Sequence, residues 1–284
     1  MGASKKSILD LIPSQYLPNT ILVDSKLSFS DIQRQISEAR INYPMILKPD
    51  IGERGLHVQI IRNDLELRKY LDLKVPKIII QEFLDMPFEA GIFYYRFPNQ
   101  EKGTISSVVV KELLTVEGDG VSTLKELISE KPRAKLQLKR LESELDFKLQ
   151  EVLAEGEKIT LEPIGNHNRG TAFLDGNHLI NDELIDVFDG LSKQIKGFFY
   201  GRFDLRCDGQ EALYKGQFKI MELNGVASEP AHIYSPNYPI LKGYKSLFHH
   251  WKTLFRISVL NHQSGIPYMS WTDGMEAIRK SRFV

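Results

Sequence analysis

Short apolar runs alternate with amphipathic stretches through the first half of the chain. Thr20 to Val23 has the composition of a strand, and Ile32, Ile36 and Ala39 then recur at helical spacing behind a start signal at Ser28 to Asp31. Met45-Ile46-Leu47-Lys48 predicts a strand that ends in a lysine and a proline, followed by the loop Asp50-Ile51-Gly52-Glu53-Arg54-Gly55 and a second strand from Leu56 to Ile61. Asp64 can cap a short helix through Leu71. Lys77 to Phe83 reads as a strand with three consecutive isoleucines, and Gly91 to Phe97 and Ile105 to Lys111 as further strands.

The middle changes character. Gly118-Asp119-Gly120 signals a turn, and leucines 138, 141, 145 and 149 predict one face of a charged helix from about Arg133 to Ala154. A strand near Ile159 to Pro163 leads into Gly165-Asn166-His167-Asn168-Arg169-Gly170. Leu184, Phe188, Leu191, Ile195 and Phe198 line another helix, opened by Asn181-Asp182. Gly201 to Cys207 and Phe218 to Asn224 are strands joined by a polar hairpin segment. Tyr244, Leu247, Phe248, Trp251, Leu254 and Phe255 form an apolar helical stripe, whose expected role is packing against a sheet. This order of elements predicts a mixed α+β chain with largely antiparallel sheets and no repeat.

Composition narrows the function. The 284 residues are 42% hydrophobic and 26% charged, enough for one large or two modest domains. Lysine plus arginine and aspartate plus glutamate both number 37, which removes the general attraction to a phosphate backbone that nucleic-acid binders carry. One cysteine, Cys207, excludes an intramolecular disulfide and a multi-thiolate metal site; it reads as a small buried residue with no argument for a reactive thiolate. No run approaches the roughly 18–20 apolar residues of a membrane span. The N-terminus is too polar, and too soon broken by Pro13, for a signal peptide, so a cytoplasmic location is the default.

Candidate chemistry gathers where strands end. Residues two apart share a strand face, so Arg202, Asp204 and Arg206 point together, as do Ile220, Glu222 and Asn224. If the two strands pair, one face collects Asp204, Glu222 and Asn224, oxygen donors without histidine or thiol that suit Mg²⁺ holding nucleotide phosphates. The competing reading is a solvated strand face. Lys48 closes an apolar strand before a glycine-containing loop, an arrangement that can set an ammonium against phosphate, although the loop lacks the P-loop pattern and is otherwise an ordinary turn. Ile78-Ile79-Ile80-Gln81-Glu82-Phe83-Leu84 runs from apolar to polar, offering a flat slot with edge donors and acceptors such as adenine needs, and Glu89 could accept from ribose hydroxyls. The alternative is a core strand reaching the surface.

Together these motifs resemble the ATP-grasp carboxylate–amine ligases, and the resemblance covers nearly the whole chain. Tyr43 to Pro49 with Gly52, Arg54 and Gly55 resembles the first nucleotide-binding strand and its phosphate-covering loop. Ile79 to Leu84 resembles the adenine hinge, with Gln81, Glu82, Phe83 and Leu84 at the base and Glu89 at the ribose. Gly201-Arg202-Phe203-Asp204 and Met221-Glu222-Leu223-Asn224 resemble the motifs that supply metal ligands and a catalytic arginine. Val116 to Leu124 and Asn166 to Gly170 are similar to segments of the ATP-grasp module of cyanophycin synthetases, which implies Lys111 and Asn166 near the phosphates or the acyl group.

The resemblance implies two lobes, residues 20–97 and 98–265, between a residual N-terminal segment 1–19 and a tail 266–284. It implies ATP with two Mg²⁺ ions (Mn²⁺ as a substitute) held by Asp204, Glu222 and Asn224, and an acylphosphate that an amine converts to an amide. Lys48 would neutralise the moving phosphoryl group, and Arg202 would stabilise the oxyanion. Small-molecule carboxylate and amine substrates are expected, with no nucleic acid and no membrane span. Family members carry roughly a hundred residues, a typical domain, before the nucleotide lobe. Only 47 residues precede Lys48, so the expectation is a truncated N-terminal domain, with Lys5, or next Lys6, reaching the phosphates and a homodimer or partner completing the acceptor site. Alternatives are an ATP-binding subunit without independent turnover and a small-molecule phosphotransferase.

Outside these motifs, His249 and His250 read as solvated or partner-facing, and His167 and His232 as candidates for substrate contact. The leucine face of 138 to 149 reads as scaffold or dimer contact. A basic face at Lys245, Lys252 and Arg256 gives the C-terminal stripe a second reading, as a membrane-surface or partner helix.

Overall fold

A four-stranded sheet forms first along the chain. In the computed structural model, which describes residues 4–52 and 55–281, strands β1 (Thr20–Asp24), β2 (Met45–Pro49), β3 (Gln59–Ile61) and β4 (Lys77–Glu82) lie antiparallel in the order β1-β4-β2-β3. Helices Phe29–Glu38 and Asp64–Leu71 cover one face, where Ile32, Leu67 and Tyr70 meet Met45, Leu47, Ile78 and Ile80. Ile79 is equally buried, because the opposite face looks onto the second lobe; that is why three isoleucines can follow one another without polar alternation. Ser28 caps the first helix as expected, while Asn63 rather than Asp64 caps the second. The strand expected over Leu56 to Ile61 is shorter, beginning at Gln59.

The second sheet is larger. Strands β5 (Phe88–Tyr95), β6 (Thr104–Glu112), β9 (Ala172–Asp175), β10 (Tyr200–Cys207) and β11 (Phe218–Asn224) run antiparallel in the order β11-β10-β5-β6-β9. β5 hydrogen-bonds wholly within this sheet, although it falls inside the 20–97 span read as one lobe. One face packs on the helix Asp182–Gln194, where Leu184, Phe188 and Leu191 meet Ile92, Phe203 and Leu205. This helix ends before Phe198, which joins the same core from the following turn. The segment between β10 and β11, expected to be a plain hairpin, holds a short helix, Gln210–Tyr214.

A two-stranded sheet of β7 (Leu114–Glu117) and β8 (Lys158–Glu162) sits beside the second lobe. The single helix expected from Arg133 to Ala154 is three pieces, Pro132–Lys135, Leu138–Leu145 and the 3₁₀ turn Asp146–Gln150. Its leucines still converge, with Leu141 and Leu149 buried against β7 and β8, so their face is internal scaffold.

Two expectations for the C-terminal helix are overturned. His250 is buried, its Nδ1 3.2 Å from the Tyr200 hydroxyl and its ring edge-on to Phe93. Meanwhile the aromatic stripe is not core: Tyr244, Phe248, Trp251 and Phe255 are all more than half exposed, because the helix docks through His250, Thr253 and Ile257 instead. Burial, with His249 and His232 adding positive charge, pushes His250 down to about 4 from an ordinary 6.5. The unfolded chain therefore binds a proton that the native protein refuses. Stability contributed by the neutral ring is complete above pH 6.5 and is lost as pH falls toward 4, by up to about 3 kcal/mol. Urea melts of the protein and of His250→Phe between pH 4 and 7 should show that slope flattened in the variant.

Candidate active site

The site occupies the cleft where the inner faces of the two large sheets meet, and its parts are set by register. On the second sheet Arg206 of β10 stands opposite Glu89 of β5, which stands opposite Lys111 of β6. Glu89 is thus clamped by both cations. Arg206 donates to its Oε2 from Nε at 2.8 Å, with Nη2 in ion-pair contact with the same oxygen at 2.7 Å, and Lys111 Nζ donates to Oε1 at 3.0 Å. These hydrogen bonds fill one lone-pair site on each carboxylate oxygen. Arg206 also donates to the carbonyls of Leu84 and Pro163, tying the hinge to the second lobe.

The next row carries the metal candidates. Asp204 pairs with Glu222 across β10 and β11 and with Gly91 across β10 and β5. Arg202, one position along on the same face, holds Asp204 through Nε at 3.0 Å and Nη2 at 3.1 Å, and Asn224 donates to the same carboxylate at 2.9 Å. Lys111 Nζ is 3.7 Å away. Burial would raise the Asp204 carboxyl, but Arg202 and Lys111 outweigh it and hold it below the usual range. Gly91 is a glycine for a reason: a Cβ there would lie 2.8 Å from Asp204 Oδ1 and 2.8 Å from Val109.

Alternation alone groups Ile220 with Glu222, and the structure separates them. A β-bulge at the Asp204/Leu205 step puts Ile220 opposite Leu205 and Glu222 opposite Asp204, leaving Met221 as the extra residue. Ile220 therefore joins the helix-side core while Glu222 and Asn224 line the cleft. The Met221 carbonyl accepts from Lys48 Nζ at 3.1 Å, a contact between lobes that nothing in the sequence announced.

On the first sheet Lys48 also donates to Gln81 Oε1 at 3.0 Å, and Gln81 donates to Thr20. Burial lowers the Lys48 ammonium, which Glu222 and Asp204 resist and Lys5 reinforces. Lys5, at the start of the short helix Lys5–Leu9, reaches the Gly52 carbonyl at 2.6 Å, beside the loop expected to cover the phosphates, whereas Lys6 turns away to Asp10. Gly55 lies against the Asn166 side chain, so the two expected phosphate loops meet. Arg169 Nη1 bonds the Val58 carbonyl at 2.9 Å beside them. Arg54 lies outside the described residues. The hinge backbone of Glu82 is engaged by Asn19, and Phe83 and Leu84 continue past β4 into the cleft.

A cavity of about 410 Å³ lies among these groups, lined from one lobe by Lys48, Gln81 and Phe83 and from the other by Lys111, Asp204 and Glu222. Its volume is in the range of small-ligand sites. Gln81, Glu82, Leu84, Glu89, Asn166, Arg202 and Asn224 complete the expected set on its wall, with Lys5, Gly52 and Gly55 at the loop side. Ile164, Gly165, Phe173 and Arg206 were not among the expected site residues; only Arg206 was legible, by alternation with Asp204. His167 lines the cavity, but His232 does not: it is buried between Ser107 at 2.6 Å and Tyr238 at 3.2 Å. Cys207 is buried, its thiol pushed up by desolvation. The oxygen-only donor set of Asp204, Glu222 and Asn224 fits a hard divalent cation.

Two lobes with antiparallel sheets and a cleft between them have solved counterparts. The VanG D-Ala:D-Ser ligase of Enterococcus faecalis aligns over 90% of this chain and 61% of its own, with TM-score 0.50 and 13% identity. The fold is ATP-grasp. A D-alanine–D-alanine ligase of Bacillus anthracis aligns over 92% of this chain and 67% of its own, with TM-score 0.49 and 14% identity. The chain spans about two thirds or less of the length of these two proteins. No family model and no curated protein matches the sequence.

The ATP-grasp cleft gives Gly165 a specific job. A methyl group there would overlap the Glu89 carboxylate, which cannot swing aside because Arg206 and Lys111 hold it. If the cleft holds a nucleotide, Gly165→Ala is expected to weaken its binding about tenfold, the equivalent of one disturbed hydrogen-bonded contact. Titration with a fluorescent ATP analogue measures this, and Gly190→Ala, with open space at its Cβ, is the control.

Proposed function

We propose that this chain is an ATP- and Mg²⁺-dependent ligase that joins a carboxylate to an amine, with an amino acid or small peptide as substrate. One observation carries the reading. Lys48, Glu89, Lys111, Arg202, Asp204, Glu222 and Asn224, drawn from both lobes and scattered over the sequence, all face one cavity. The amino-acid class draws support from the D-Ala:D-Ser ligase VanG, which shares the fold.

Asp204, Glu222 and Asn224 would hold Mg²⁺, which when bound supplies charge neutralisation along the triphosphate. Lys48 and Lys5 bring ammonium groups to the loop side of the cleft, where the γ-phosphoryl would lie. The substrate carboxylate oxygen attacks that phosphorus, the bond to the β-phosphate oxygen breaks, and ADP leaves behind an acylphosphate. The amine nitrogen then attacks the acyl carbon, its surplus proton is lost, and phosphate departs as the amide forms. Arg202, fixed by Asp204 and by the Glu229 carbonyl at 3.2 Å, offers its guanidinium to the developing oxyanion. Contacts between the lobes, Lys48 to Met221 and Arg169 to Val58, bridge the cleft; fuller closure over bound substrates would keep water from the acylphosphate.

The decisive experiment mixes the protein with ATP, Mg²⁺ and pools of amino acids and short peptides. ADP release that rises on adding an amine, with an amide identified by mass, is expected. Hydroxylamine should divert the reaction to a hydroxamate. A phosphorylated product that resists hydroxylamine would replace ligation by phosphotransfer, and no amine-stimulated ADP across the pools would overturn the proposal.

A further inference from the structure

The helix Ile240–Gln263 is 24 residues long and contains no aspartate or glutamate. Its sides divide into three sectors at about 100° per residue. His250, Thr253 and Ile257 form the sector buried against the protein. Leu241, Tyr244, Phe248, Trp251 and Phe255 form a second, and their exposures run from 58% to 84%. Lys242, Lys245, His249, Lys252 and Arg256 form the third, also exposed, with Arg256 resting on the Phe97 ring at 4.4 Å. An aromatic stripe with a row of cations along its edge thus runs along the first two thirds of the helix. Beyond its end, Tyr268 and Trp271 extend the exposed aromatic surface, at 54% and 82%.

From this we infer that the face is a docking surface for an anionic lipid bilayer, with the helix lying along the headgroup region. The charge pattern selects that occupant. The chain as a whole is neutral, yet four lysines and arginines gather here without one acid among them. A second copy packed about a two-fold axis on this helix would bring cations against cations. Negative headgroups satisfy them, while the adjoining aromatic rings enter the acyl boundary, the division of labour seen in interfacial helices. No helix among the described residues is long and apolar enough to cross a membrane, so the geometry is that of a helix lying on the surface. The cleft is built from other elements, so this inference does not rest on the proposed ligase activity.

The chain reports on its own docking, since its two tryptophans, Trp251 and Trp271, both belong to this surface. The protein is mixed with phosphatidylcholine vesicles, with or without about a third phosphatidylglycerol, and followed by sedimentation and tryptophan emission. Expected are co-sedimentation and a blue shift with the anionic vesicles only, both lost as salt rises from about 0.05 to about 0.5 M. Lys245→Glu with Lys252→Glu should lower the partition coefficient at least about tenfold, as should Trp251→Ser with Phe255→Ser. Far-ultraviolet circular dichroism, the thermal melting midpoint and ATP-analogue binding should be unchanged in both, which separates docking from folding and from the cleft. Absence of partitioning into anionic vesicles would overturn the inference. So would a dimer, seen by sedimentation velocity without lipid, that the same substitutions dissolve, or equal binding to neutral vesicles.

Discussion

Replacing Glu222 by Gln is expected to reduce ADP release by about 10²- to 10³-fold while leaving thermal stability within a few degrees of the parent. The size follows from the charge lost: a metal-stabilised phosphoryl transfer depends on several kcal/mol of electrostatic stabilisation, and each 1.4 kcal/mol is tenfold in rate. Stability should survive because Glu222 is half-buried at the cleft and Gln keeps its volume. Asp204→Asn is expected to lose activity as well, but not so cleanly. Asp204 is the acid between Arg202 and Lys111, and removing its charge takes away the carboxylate that Arg202 grips and leaves Lys111 with Glu89 alone. Breaking a buried pair this way costs about 3 kcal/mol or more, so the melting temperature should drop by roughly 5–15 °C. Steady-state ADP assays over a Mg²⁺ titration, beside differential scanning calorimetry, test both halves. Full turnover in Glu222→Gln would remove the metal assignment; an unchanged melting temperature in Asp204→Asn would show that Arg202 and Lys111 find other partners.

The contrast between those two variants marks how far local sequence reaches. Alternation along β10 placed Arg202, Asp204 and Arg206 on one face, and the structure keeps them there. The same rule failed for Ile220, because a bulge adds one residue and reverses the faces beyond it; no composition signal at Met221 marks it. What Glu89 touches was illegible for another reason. Its partners Lys111 and Arg206 come from strands 22 and 117 residues away, and only the pairing register aligns them. The stripe from Tyr244 to Phe255 is a third case. Its period announced a helix with an apolar side, but periodicity says nothing of which sector is covered, and His250 with Thr253 and Ile257 took the buried one. Leucines 138 to 149 were similarly compatible with one straight helix or with short pieces folded round β7 and β8.

On the proposed mechanism, Arg202 supplies the sharpest division between the two half-reactions. Its guanidinium is held in place by Asp204 on one side and the Glu229 carbonyl on the other, and although burial opposes its charge, Asp204 more than restores it. A cation so fixed costs no reorganisation when an oxyanion forms beside it. Removing it in Arg202→Gln should slow amide formation by about 10²- to 10³-fold, since the tetrahedral species loses its donor. Phosphoryl transfer should suffer less, because Lys48 and the metal candidates Glu222 and Asn224 remain. Rapid-quench experiments should therefore show a burst of ADP close to one per cleft, followed by a steady rate far below the parent's. Losing the burst together with the steady rate would move Arg202 to the first half-reaction; retaining both would take it out of the chemistry. Because Asp204 gives up a partner in this variant, Arg202→Lys is the companion measurement. It keeps the charge and should hold the parent's stability, yet a lysine lacks the planar fork that grips Asp204 through two nitrogens, so the amide step should recover only in part.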